Sequence, residues 1–297
     1  MFEEIMNKID VTKYPYKKLM ILPVTVLILA LLLLGTNYLR MDKPMDYGME
    51  LEGGTTAYVQ NVTFETGNLE KYLQDEFDDT EITVRSTGSA YRVEAPASID
   101  SVELEKSIKS KYSEAVVSTQ YMGPTLGKDL QTDAMKALLY AFIGMTVVVF
   151  IVFRIPYPSM AVIISAFADI VVTAAVMYVF GIKLTLGTIA ALLMMIGYSV
   201  DSDILLTTRL LKRTGKTNEK IRTAMKTGLT MTLTTIVAMT VLYIVASNYN
   251  TTILKDMAAV LTLGLTIDLM NTWMFNAGLL KWYLVRESTK KKRHRGR

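Results

Sequence analysis

Six apolar runs set the class of fold open to this chain. They cover approximately 19–39, 134–153, 160–180, 184–211, 229–246 and 257–280. About 20 helical residues cross a hydrocarbon layer of roughly 30 Å. Within lipid each backbone N–H and C=O has to find a partner inside the protein, so runs of this length read as helices. The chain has 297 residues and is 51% hydrophobic. Soluble domains reach a similar total, so the clustering carries the argument, not the sum. The expected architecture is a membrane all-α six-helix bundle. The first run, 21 residues long with no small-x-small site ahead of Arg40, favours an uncleaved signal anchor over a removed signal peptide.

Charge placement gives the orientation. The segment 209–226 holds seven Lys/Arg and one acid, and the tail from Lys281 holds eight and one. The alternate short loops carry only Lys183 and Lys255. By the positive-inside rule both termini face the cytoplasm. The reading is therefore a multi-pass cell-membrane protein with a cytoplasmic N-terminus over 1–18, helix one over 19–39, an extracytoplasmic domain over 40–133, helices two to six over 134–280 and a basic cytoplasmic tail over 281–297. The tail, "KKKRHRGR", reads better as an anchor on lipid headgroups than as a contact to nucleic acid or ribosome. No nucleic-acid partner is expected. His294 lies in that tail and reads as solvated. The chain has no cysteine, which excludes disulfides and thiolate metal sites.

The outer domain shows its own pattern. "TTAYVQNV" (55–62) suits a strand. "NLEKYLQDEF" (68–77) aligns Leu69, Tyr72, Leu73 and Phe77 on one helical face, with Asn68 as N-cap. "TEITVRST" and "AYRVEAPA" flank a turn at Gly88-Ser89 and read as a hairpin. "SVELEKSIKSKY" lines up Leu104, Ile108 and Tyr112. "EAVVSTQYM" (114–122) is the last strand. The order βαββαβ is that of an α+β ferredoxin-like domain between helices one and two. That fold alone carries no activity. Two glycine-containing stretches border it, "DYGMELEGGT" and "GPTLGKDL", and spacing alone reads each as a tight connector.

Four aspartates lie inside or beside the apolar runs. Asp201 and Asp203 stand in "GYSVDSDILL" of helix four, Asp169 near the middle of helix three and Asp268 near the middle of helix six. Each acid at a helix centre costs about 2.5–3.5 kcal/mol on insertion scales. Asp201 and Asp203 point about 200° apart, so they do not form one paired site. Asp201 shares a stripe with Gly197, Tyr198, Leu205 and Thr208, a composition suited to a face packed on other helices. It is the favoured functional acid, in a protein-lined interior, while Asp203 lies nearer the cytoplasmic headgroups. Three compensations stand open: protonation, pairing with a cation (Arg209 below Asp201, or Lys226 opening helix five), or a wet cavity that moves ions or protons. Static packing through hydrogen bonds is the plainer alternative.

Soluble-enzyme signatures are missing. "KRTGKTNEK" lacks the upstream glycine and strand of a nucleotide loop, and there is no nucleophile elbow or His-rich metal spacing. The chain is not expected to be an enzyme or to hold a metal or cofactor.

Taken in order, "GMELEGGT" with Gly48, Glu50, Gly53, Gly54 and Thr55, "GPTLGKDL" with Gly123, Pro124 and Gly127, and "GYSVDSDILLTTRL" with Gly197, Tyr198 and Ser199 resemble the SecD/SecF family of protein-export membrane proteins. The likeness is to the SecF branch, given one compact outer domain, and more to archaeal than bacterial members. It implies half of a twelve-helix bundle shared with SecD, akin to one half of a resistance-nodulation-division (RND) transporter. It also implies partners in the SecYE-type Sec translocation channel, the translocating polypeptide and membrane lipid, with use of the proton gradient through intramembrane acids. The bacterial pattern Gly-Tyr-Ser-x-Asn-Asp would put its acid at Ser202; here acids stand on either side. Asp201 matches an aspartate position of SecD, Arg209 the family's arginine after helix four, and Lys226 an arginine of bacterial members. The function implied is an accessory subunit of the Sec translocase. A small-molecule or lipid exporter and a non-transducing scaffold are the alternatives.

Overall fold

The computed structural model describes residues 11–41, 43–62, 65–78, 82–87, 90–212, 214–249 and 251–295. Helix α1 spans Tyr16–Met41. A short helix, α2 (Met49–Glu52), leads into β1 (Gly54–Gln60), α3 (Thr66–Glu76), β2 (Thr83–Thr87), β3 (Ala90–Pro96), α4 (Ser101–Lys111) and β4 (Val116–Met122). Then follow α5 (Pro124–Phe153), α6 (Pro156–Val179), α7 (Leu186–Lys212), α8 (Thr217–Asn248) and α9 (Thr252–Met270). A π-helical stretch, Asn271–Asn276, joins α9 to α10 (Ala277–Arg295).

Among the described residues, α1, α5, α6, α7 and α8 are long and apolar enough to cross a membrane. The last apolar run, 257–280, is not one regular helix, because the π stretch interrupts it. Helix ends also differ from the apolar runs. α5 starts at Pro124, not near 134: Gly123 caps it, and Pro124 sits in its first turn, where its fixed φ favours a helix start. "GPTLGKDL" is therefore helical, not a connector. α8 starts at Thr217, so Lys226 lies well inside the helix and does not open it. Apolar runs mark what meets lipid; a helix continues into water as long as its backbone bonds hold. α6 and α7 are the inner helices, with 61% and 56% of their apolar windows buried against 17%, 11% and 17% for α1, α5 and α8.

The strands form one sheet in the order β2-β3-β1-β4, antiparallel at every pairing. Alternation puts Ala57 and Val59 of β1 and Val93 and Ala95 of β3 on its buried face. Leu69 and Leu73 of α3 and Leu104 and Ile108 of α4 complete that core, with Tyr72, Phe77 and Tyr112 at its margin. These are the helix faces read from the sequence. The start of α3 differs: it begins at Thr66 behind Glu65, with Asn68 inside the helix. α4 is capped by Asp100, whose carboxylate accepts from the Val102 amide at 2.7 Å. The turn at 88–89 lies outside the described residues.

The two glycine stretches meet each other. Gly53 has φ +83°, a region that favours glycine. A Cβ on Gly127 would stand 2.9 Å from the Gly53 nitrogen and 3.0 Å from the Leu51 carbonyl oxygen, so only glycine lets α5 approach this turn. The same turn is tied to the α6–α7 connection. Gly48 N donates to Leu184 O and Leu184 N to Asp46 O, both at 2.8 Å. Glu50 accepts from the Leu186 amide at 3.2 Å, an acid at the start of α7 where the helix dipole favours it. Thr55 Oγ1 donates to Ile99 O at 3.0 Å inside the domain.

Candidate functional site

Three of the four aspartates come together at the centre of the bundle. Asp169 of α6, Asp203 of α7 and Asp268 of α9 are all buried. Ser199 Oγ donates to Asp169 at 2.5 Å, and Asn271 Nδ2 donates to its other carboxylate oxygen at 2.7 Å. Asn276 Nδ2 donates to Asp203 Oδ1 at 2.7 Å. Thr272 Oγ1 lies 2.9 Å from Asp203 Oδ1 and 3.1 Å from Asp268 Oδ1. Ser202 Oγ lies 3.1 Å from the second oxygen of Asp268. One network thus runs from α6 through α7 to α9 and the π stretch.

The local sequence explains the convergence. Asp268, Thr272 and Asn276 recur every four residues and share a helical face, which Asn271 flanks. On α7, Ser199, Ser202 and Asp203 are buried together with Leu206 and Leu210. Leu206 and Leu210 pack with Trp273 beneath the network.

The network is short of donors. Among the described residues Asp203 Oδ2, Asn271 Oδ1 and Asn276 Oδ1 are buried acceptors without a hydrogen-bond partner within 3.5 Å, and the buried Ser165 hydroxyl of α6, itself unpaired, stands beside Asp203. Thr272 has one hydroxyl proton for two carboxylates. None of the three acids pairs with a Lys or Arg among the described residues. Arg209 instead donates to Thr223 O at 2.7 Å and Thr227 Oγ1 at 3.0 Å, and Lys226 is exposed. Neither cation compensates the acids, because both sit where α7 and α8 leave the apolar layer.

Asp201 is elsewhere. It is exposed, on a stripe with Met194, Gly197 and Tyr198. The expectation that Asp201 turns to the interior of this chain is corrected: Asp203 holds that place. Both faces of α7 carry small and polar residues, so its composition alone does not choose the inner one. The inner face is the one that meets Asp169 and the Asn271–Asn276 polar groups. Sequence reasoning gave Ser202 only as a matched position and passed over Ser165, Asn271, Thr272 and Asn276. The spacing of polar residues in "DLMNTWMFN" was the readable signal for the last three.

An apolar helix assembly that buries a carboxylate network and carries a small α/β domain on one side defines a multi-pass helical membrane protein. The chain belongs to the SecD/SecF family. The model described as "Protein export membrane protein SecD/SecF, C-terminal" matches residues 103–286. The protein-export membrane protein SecF of Methanolacinia petrolearia is 47% identical over 278 residues, covering 93% of this chain and 96% of the relative. SecF of Pyrococcus furiosus is 39% identical, covering 92% and 93%. In fold, the chain is similar to SecDF of Thermus thermophilus, a translocon-associated membrane protein, with a TM-score of 0.74 at 18% identity. That match covers 91% of this chain but only 38% of the longer SecDF chain. A SecDF in a super-membrane-facing form gives a TM-score of 0.60 at 21% identity.

Proposed function

We propose that this chain is an accessory subunit of the Sec protein translocase that works with a SecD partner to promote export across the cell membrane. In this reading α9, the π stretch and the first part of α10 form a sixth crossing. Both termini face the cytoplasm and the outer domain, with a ferredoxin-like strand order, faces the emerging polypeptide and the SecYE-type channel. The end-to-end likeness to archaeal SecF proteins supports the translocase role.

The buried network of Asp169, Asp203 and Asp268 is the single geometric observation that carries the mechanism. Three carboxylates share few donors and have no basic partner among the described residues. A proton bound there would turn an acceptor into a donor and relink α6, α7 and α9. Its release would leave carboxylates facing one another in a low-dielectric interior, where repulsion is strong. Helix packing is thereby tied to proton occupancy, and the outer domain is tied to the same helices through the α6–α7 turn. Asp201 lies outside this network and, on its exposed stripe, is assigned to the face that SecD covers.

Export of a secreted reporter in a strain dependent on this chain tests the reading. Asp203→Asn should abolish the gradient-dependent part of export, while Asp201→Asn should leave more of it. Normal gradient dependence in a stably inserted Asp203→Asn variant would remove the network from the mechanism. Undiminished export without the chain would remove the translocase role. Transport of a small amphiphile by the purified chain alone would favour an exporter.

A further inference from the structure

A cleft of about 480 Å³ lies where the outer domain overhangs the ends of the helices. Arg85 of β2 and Arg92 of β3 form one wall; Lys183 of the α6–α7 turn and Lys255 of α9 face them. Glu94 and Asp256 are the acids of the lining, so four cations meet two carboxylates. Glu94 is already engaged, 2.7 Å from Lys183 Nζ and 2.9 Å from the Arg92 guanidinium. Arg85 and Lys255 form no ion pair among the described residues.

Two further donors look for a ligand. Arg92 Nε and Thr252 Oγ1 are buried without hydrogen-bond partners among the described residues. Thr252 opens α9, a helix of 19 residues, and the free amides of a helix N-terminus favour an anion. The lining then descends between α8 and α9. Thr240 lies eight residues before the end of α8, and Leu263 eight residues past Lys255. Each is roughly 12 Å along its helix from the charged rim. Beside this shaft Val241 and Ile244 of α8 are exposed. The site therefore has a cationic mouth and a mostly apolar shaft, lined by Tyr243, Ala259, Leu263 and two threonines, Thr240 and Thr262, whose hydroxyls bond their own helix carbonyls.

We infer that this cleft binds an anionic phospholipid of the outer-domain leaflet. Its phosphate sits among Arg85, Arg92, Lys255 and the start of α9, and an acyl chain lies along α8 and α9. Phosphate suits this rim because guanidinium and helix-end donors recognise its oxygens. A free anion would leave the apolar shaft unfilled. The inference stands independently of the translocase reading.

The test uses the full chain reconstituted in phosphatidylcholine vesicles with a minor share of phosphatidylglycerol, followed by native mass spectrometry of the lipid retained. Wild-type protein should retain phosphatidylglycerol over phosphatidylcholine. Arg85→Gln with Lys255→Gln should lower that retention about fivefold or more, the factor for roughly 1 kcal/mol. Lys212→Gln with Lys216→Gln, on the opposite side, should not lower it. Arg85 and Lys255 make no direct ion pair among the described residues and act on Glu94 and Asp256 only through space, so the double variant is expected to fold. If it does not, Thr252→Val supplies the comparison and should lower retention about threefold. Equal retention of both lipids, or unchanged retention in the variants, overturns the inference. Full displacement by soluble glycerol phosphate would instead mean a free-anion site, and displacement by a glutamate-rich peptide a site for acidic polypeptide; either result also overturns it.

Discussion

Glu94 ties the outer domain to the membrane helices through one side chain. It projects from β3 and meets Lys183 of the α6–α7 turn and Arg92 of its own strand. Burial pushes its carboxyl up, but Arg92, the Lys183 hydrogen bond and the charges of Lys183 and Arg85 outweigh that and hold it below the ordinary 4.5. A carboxyl lowered in the folded state adds stability above its unfolded value, and that stability is lost as pH falls through the folded value. Glu94→Gln should therefore lower the melting temperature at neutral pH, with a loss of about 1–3 kcal/mol for charged hydrogen bonds. The difference from wild type should shrink as pH falls below the ordinary 4.5 and through the lowered folded value, where the native carboxyl is itself protonated. A melting series across pH in detergent checks both halves, and a gap that persists at acid pH would mean packing, not charge, is lost. The acids at 201 and 203 mark how far the chain's own pattern reaches. Helical geometry says that they face opposite ways, and they do. Which one turns inward is decided by Asp169 and Asn276, more than 30 and 70 positions away, and no local pattern carries that information.

Elements were legible where burial imposes a period. The alternation in β1 and β3 and the faces of α3 and α4 follow directly from the apolar positions that now form the outer core. Five of the six apolar runs likewise fall in helices long and apolar enough to cross a membrane, although they do not mark the helix ends. The π stretch was not legible, because hydropathy does not distinguish i→i+4 from i→i+5 hydrogen bonding. Its effect is nevertheless central: it presents Asn271, Thr272 and Asn276 to the acids while burying Trp273 against α8. Gly228 of α8 makes room for that indole, since a Cβ there would collide with the Trp273 ring. Gly228→Ala should force the ring and the π stretch outward. The chain has two tryptophans, so in a Trp282→Phe background the emission reports on Trp273 alone, which is 3% exposed. A red shift and a lower melting temperature are expected. Unchanged emission would mean that α8 yields instead and that the π stretch is the stiffer element.

At the scale of the whole molecule, the outer face of α7 asks for company. Met194, Gly197, Tyr198 and Asp201 lie on one exposed stripe. A carboxylate turned toward acyl chains is expensive and is normally covered by protein or water. Glycine on such a stripe lets another helix approach closely. A Cβ on Gly197 meets nothing within 4 Å in this chain, so a larger side chain has no cause to disturb its own fold. Its consequence falls on whatever lies against the stripe. Gly197→Leu should leave the melting temperature of the isolated chain unchanged and reduce the SecD retained on an affinity tag about tenfold, the effect of roughly 1–3 kcal/mol of overpacking. Retention of SecD at the wild-type level would place the partner on another face and leave Asp201 to lipid. Loss of SecD together with a lower melting temperature would mean that the stripe supports the chain itself. Only loss of the partner with an intact chain matches a stripe that serves the partner and not the chain's own fold.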